Sequence, residues 1–135
     1  MATLIQKRIV ADHFITAALW ADAPEGTHPR VTKRARQVAV MIADTFISRH
    51  PELFEEAMQR EEAGYGAHHD AGSPEAAFGH DLWLTLCGHG VGFWDRNELD
   101  ADGLGQRLTD ACRAFGEPYL EFYRGWMNLS HEVAA

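Results

Sequence analysis

The sequence predicts an α+β fold, with about four helices packed against a small antiparallel sheet. Three observations predict it. Apolar residues recur at helical spacing through the first 62 positions. The stretch from Asp81 to Trp94 alternates on either side of a Gly-His-Gly turn and reads as a hairpin, 81–94. A second alternating stretch, 119–129, reads as a closing strand or hairpin. Helices followed by hairpin, helix and strand are the order of an α+β domain.

The first helix is expected from about Ile5 to Trp20, with Val10, Phe14, Ala17 and Ala18 on its buried stripe. Pro24, Gly26 and Pro29 then make a loop. The second helix, about Arg30 to Arg49, places Ala35, Val38, Ala39, Ile42, Ala43 and Phe46 on one face, with Thr27 or His28 as cap. His50-Pro51 breaks it. A third helix follows to about Glu62, with Leu53, Phe54, Ala57 and Met58 apolar. Residues 64–76 are glycine-rich and read as a flexible loop.

In the hairpin, Leu82, Leu84 and Leu86 share one face and Trp83, Thr85 and Cys87 the other, with Val91 to Trp94 as the return strand. A fourth helix spans about Leu104 to Phe115, capped by Asp100 or Asp102 and ended by Gly116. Tyr119 to Tyr123 is a strand, and Arg124-Gly125 turns it back into Trp126 to Leu129.

The bulk numbers bound the function. At 135 residues the chain suits one domain, 1–135. Twenty acidic residues against twelve basic ones give a formal charge of -8, which repels nucleic-acid phosphates, so no direct nucleic-acid partner is expected. The two cysteines make no disulfide framework. The opening lacks the apolar core of a signal peptide, and no apolar run approaches the ~18–20 residues that span a bilayer. A cytoplasmic location and no membrane partner are therefore expected.

The polar residues offer several chemistries. His80, Asp81, His89 and Asp95 cluster near the expected hairpin, and two imidazoles with two carboxylates suit zinc or iron. The simpler reading is turn fixing and local pairing, and no cofactor is expected. His68-His69-Asp70 offers ligands that a glycine-rich loop would hold poorly. The acids from Asp95 to Asp102 miss the calcium-loop pattern at its glycine and at its closing glutamate, so helix capping explains them better. Cys87 and His89 flank the turn without an oxyanion donor or a third orienting group. Trp83, Phe93 and Trp94 are of a size that fits either a stacking platform or a core.

Charge placement is the least ordinary feature. Arg30, Lys33, Arg34 and Arg36 crowd the start of the second helix, where cations oppose the helix dipole. Glu52, Glu55, Glu56, Glu61 and Glu62 crowd the third. The two faces either attract one another within the fold or form a bipolar surface for a partner.

The segment from His80 to Arg96, HDLWLTLCGHGVGFWDR, resembles the signature of a family of small phage and prophage proteins, H-D-F-W-L-T-x-N-G-H-G-A-G-F-W-D-R. Leu108-Thr109-Asp110-Ala111, Leu120 to Tyr123 and Thr16 to Trp20 extend the likeness to both ends of the chain. Cys87-Gly88 stands where the family usually has Asn-Gly. The resemblance implies a phage-type protein in a bacterial host cell, and it names a setting without an activity. The leading expectation is a non-enzymatic protein–protein interaction module that inhibits a host factor or defence complex, in the manner of an anti-CRISPR protein. Its contacts would come from Arg30, Lys33, Arg34, Arg36, the third-helix glutamates and the hairpin residues Trp83, His89 and Trp94. A homodimer is also compatible. The alternatives are a small metal-dependent hydrolase using His80, Asp81, His89 and Asp95, and an acidic DNA mimic.

Overall fold

A computed structural model describes residues 1–67 and 72–132. The described residues form five α-helices and a three-stranded mixed sheet. In chain order these are α1 (Leu4–Asp22), β1 (Arg30–Val31), α2 (Lys33–Arg49), α3 (Pro51–Gln59), α4 (Pro74–Leu86), α5 (Leu104–Phe115), β2 (Tyr119–Tyr123) and β3 (Trp126–Ser130). The α+β class therefore holds. The expected hairpin 81–94 does not, because its first half belongs to α4 and its second half is a turn followed by a 3₁₀ turn at Phe93–Asp95.

The physical reason is burial on all sides. In α4, Ala76, Ala77, Phe78, Gly79, Asp81, Leu82, Trp83, Leu84 and Leu86 are all buried. A helix enclosed all round carries apolar residues at every phase, so its final turns look like a two-sided strand. The start signal lies upstream. The Ser73 hydroxyl accepts from the Ala76 N–H at 3.1 Å, and Pro74 occupies the first turn, where no N–H is needed.

The α4 helix crosses α1 at Gly79. A Cβ there would drive into the Val10 carbonyl oxygen, so only glycine lets the two backbones approach this closely. Phe78 lies one residue away at the centre of the core. Its ring centroid is 5.0 Å from that of Phe54, 5.0 Å from that of Phe93 and 6.2 Å from that of Phe46. Four elements or turns that are remote in sequence are thereby tied together by rings worth about 0.5–1.5 kcal/mol per pair beyond their area.

Arg30 is not helical, as the periodicity suggested, but lies in β1. Helix α2 starts after it, with Thr32 and not Thr27 or His28 as its cap. The Thr32 hydroxyl accepts from the Ala35 N–H at 2.9 Å and donates to Asn128 Oδ1 at 2.8 Å. One side chain thus ends a strand, starts a helix and anchors the sheet. Helix α3 ends at Gln59, and a 3₁₀ turn carries Arg60–Ala63. Of the expected loop 64–76, Tyr65 is buried and Pro74 to Ala76 are helical. Helix α5 starts from Gly103, whose left-handed backbone makes the cap without a side-chain bond from Asp100 or Asp102.

In the sheet, β3 is central, with β1 parallel on one side and β2 antiparallel on the other. The β2–β3 hairpin turns through Arg124-Gly125 with φ of 50° and 83°. Positive φ at both central positions is the geometry that suits tightly twisted two-residue hairpins. The closing hairpin expected from 119 to 129 is present at those positions. Among the described residues, no helix is long and apolar enough to cross a membrane.

Candidate interaction surface

The signature stretch from His80 to Arg96 turns most of its polar groups inward. Asp81 is fully buried. Its Oδ1 accepts from Arg96 Nε at 2.9 Å and from a terminal guanidinium nitrogen at 2.7 Å, and its Oδ2 accepts from the Tyr65 hydroxyl at 2.8 Å. A buried carboxylate needs such partners, since removing either charge would strand the other. Burial and the Asp81 carboxylate hold the Tyr65 phenol well above its ordinary pKa. Burial works against the Arg96 charge, but the bond to Asp81 and its negative charge outweigh that and raise the guanidinium.

Two further inward bonds close the same region. Thr85 Oγ1 accepts from the Phe93 N–H at 3.1 Å, which folds the glycine-flanked loop back over α4. A Cβ at Gly92 would collide with that hydroxyl. Trp83, 1% exposed, donates Nε1–H to Asp22 Oδ2 at 2.6 Å. His89 Nε2 lies 3.1 Å from the same oxygen. The stretch is thus a set of staples that pins a loop and the end of α1 to the core helix.

This placement separates the four residues of the metal-dependent alternative. Asp81 is committed to Arg96 and Tyr65, His89 faces Asp22, the His80 ring packs 5.6 Å from that of Trp20, and Asp95 is exposed. Among the described residues, no three His, Cys, Asp or Glu side chains converge as a ligand set. His68, His69 and Asp70 lie outside the described residues. The Cys87–His89 idea also loses its footing. Burial first, then the charges of Asp22 and Glu117, push the Cys87 thiol far above its ordinary pKa, the opposite of what a nucleophilic thiolate needs. Burial does the same to Cys112.

The expected contact residues divide. Trp83 is core and cannot touch a partner, and Phe93 is fully buried, so neither joins an exposed stacking platform. Trp94 is 41% exposed and His89 is half-buried beside it. Arg30, Lys33, Arg34 and Arg36 are all exposed. None of them forms an ion pair with the α3 glutamates among the described residues, so the two charged faces do not neutralise one another. Glu56 pairs with Arg107 at 2.6 Å and Glu55 with the N-terminal amine at 3.4 Å, while Glu52, Glu61 and Glu62 are exposed.

The sheet shows where several of the exposed arginines lie. On its outer face Tyr119, Tyr123 and Trp126 are 66%, 63% and 44% exposed. The Arg30 guanidinium sits 5.8 Å from the Trp126 ring centre and that of Arg124 sits 5.3 Å from the Tyr123 ring. Arg34 joins Tyr123, Arg124 and Trp126 around a shallow depression of about 490 Å³. Alternation along β2 puts these tyrosines outward and packs Leu120 and Phe122 against the core. The sequence carried that signal in YLEFY, but periodicity alone does not say which face of a strand lies bare. Asp22 and Tyr65 had no signal at all, because each meets its partner only through the tertiary fold.

Comparison with protein-family models, with curated proteins and with solved structures finds no match for this chain.

Proposed function

We propose that this chain is a non-enzymatic interaction module of phage or prophage type that binds a bacterial host protein through the outer face of its C-terminal sheet. The observation that carries the reading is the cluster of exposed Tyr119, Tyr123 and Trp126 beside Arg30, Arg34 and Arg124, which make no ion pair among the described residues. Tyrosine, tryptophan and arginine are the residues that dominate protein-binding hot spots, because they bury much area with few rotors and still offer polar tips. Glu121 stands exposed between the two tyrosines. A carboxylate there repels phosphates and favours a protein over a nucleic-acid strand.

The phage setting, the bacterial cytoplasm and the role as inhibitor of a host factor or defence complex rest on the resemblance of His80–Arg96 to the phage-family signature. Affinity capture from a bacterial lysate tests the reading, using the tagged chain beside its Tyr123→Ala/Trp126→Ala variant. A host protein enriched by the parent chain and lost from the variant is the expected result. Identical captured sets from both would overturn the assignment of this face.

A further inference from the structure

Among the described residues, the outer edge of β2 has hydrogen-bonding groups with no backbone partner, and the register shows which they are. The Met127 carbonyl accepts from the Thr32 N–H at 3.0 Å, so this main-chain group of β3 turns toward β1 and away from β2. Phe122 is the residue opposite Met127, and Leu120 stands opposite Leu129 in the same phase. These are the non-bonded pairs of the antiparallel ladder, so the N–H and C=O groups of Leu120 and Phe122 point away from the sheet. Their side chains pack against the core, and among the described residues no backbone hydrogen bond reaches them. Main chain outward and side chain inward is the disposition that templates another strand.

A cleft of about 560 Å³ runs along this edge. Leu120 and Phe122 line it from β2, and Asp22, Cys87 and His89 line it from the helical side. Glu117 also lines the cleft. Asp22 and Glu117 thus place negative charge in the cleft, while Arg34 and Arg124 share the outer-face depression with Glu121. Burial first, and then the charges of Asp22 and Glu117, raise the Cys87 thiol that lines the same cleft. A second copy is a poor occupant. Two β2 strands paired antiparallel about their midpoint would set Glu121 directly against Glu121, a like-charge pair that destabilises a ladder.

We propose that the outer edge of β2 takes an extended strand of a partner protein that carries lysine or arginine at alternating positions. This deepens the interaction reading above and rests on it. Main-chain bonds to Leu120 and Phe122 would supply the register, and the carboxylates of Asp22 and Glu117 would select the basic side chains.

The test uses the full chain, labelled with ¹⁵N, and a capped lysine–valine heptapeptide as probe. Saturable shifts at the Leu120 and Phe122 amides are expected, with slowed solvent exchange of both. The glutamate–valine counterpart and the lysine peptide with every internal amide N-methylated are each expected to bind at least tenfold more weakly. Glu117→Lys, at an exposed position, is expected to narrow or reverse the preference between the lysine and glutamate peptides. Equal binding of the N-methylated peptide would reduce the effect to bulk charge attraction and overturn the proposal. Shifts confined to Trp126 and its neighbours, self-association through β2, or no saturation would overturn it as well. Such a failure, with a captured host protein still lost from the Tyr123→Ala/Trp126→Ala variant, removes the edge and leaves the sheet face. Identical capture by the two chains removes the wider reading.

Discussion

The segment from Asp81 to Arg96 and the hairpin from Tyr119 to Ser130 are both rich in aromatic residues, yet they use them in opposite ways. In the first, Trp83 and Phe93 are enclosed, and Asp81, Thr85 and Arg96 spend their polar atoms on the chain itself. In the second, Tyr119, Tyr123 and Trp126 face out, and Arg30 and Arg124 lie against the rings of Trp126 and Tyr123. The lesson is that aromatic content alone does not say which way a segment faces: the first spends its rings and polar groups on packing, and the second leaves its rings exposed.

Substitutions can break this contrast, and the largest effect belongs to the buried pair. Asp81→Ala strands Arg96 and leaves the Tyr65 hydroxyl unpaired. Because Arg96 retains some contact with solvent, the loss is expected near the lower end for broken buried pairs, about 3 kcal/mol. Urea denaturation checks it, and a loss below about 1 kcal/mol would mean that the staple adds little. Thr85→Val keeps the side-chain shape and removes the acceptor of the Phe93 N–H. A cost of about 1–3 kcal/mol is expected in the same assay, since a buried donor is left without its bond.

The pH dependence follows from the groups that hold their protons longer in the fold. The phenol of Tyr65 and the thiols of Cys87 and Cys112 all have raised folded-state pKa values. The unfolded chain therefore releases protons first as pH rises, and in that window it binds fewer than the native state. Stability is fully present below the unfolded thiol pKa of about 8.5, and it falls above that as thiols and then the phenol ionise in the unfolded chain. Denaturation midpoints measured from pH 7 to pH 11 should decline, with a shallower slope above pH 10 in Tyr65→Phe. The smallest effect sharpens the contrast from the other side. Trp126→Ala is expected to change stability by about 0.5 kcal/mol or less, while removing captured partner. A large thermal shift in that variant would show the ring to be structural.

How much of this was legible depends on where each side chain finds its partner. The stripes of α2 and α5 and the β2–β3 hairpin were readable, because half-buried elements print their period on the sequence. The α4 helix was not, since Leu82, Trp83 and Leu84 are buried together and leave no polar face to mark a phase. Its Ser73-Pro74 start was present but lay in a stretch dominated by glycines. Of the candidate site, the arginines at 30 and 34 were visible as unusual charge placement. Their proximity to Trp126 was not, because it depends on a parallel pairing between Arg30 and Trp126 that no local pattern encodes.

That pairing has a kinetic consequence. The central strand is the last of the three to be synthesised, and Thr32 meets Asn128 across a separation of 96 positions. The early β1 segment has to wait for nearly the whole described chain before its neighbour exists, and closing so long a span is slow compared with forming a helix. The aromatic surface should therefore be the final part of the molecule to mature, after the helices have associated. A nascent or clipped chain lacking β3 would carry the helical signature and none of the outward-facing rings in place.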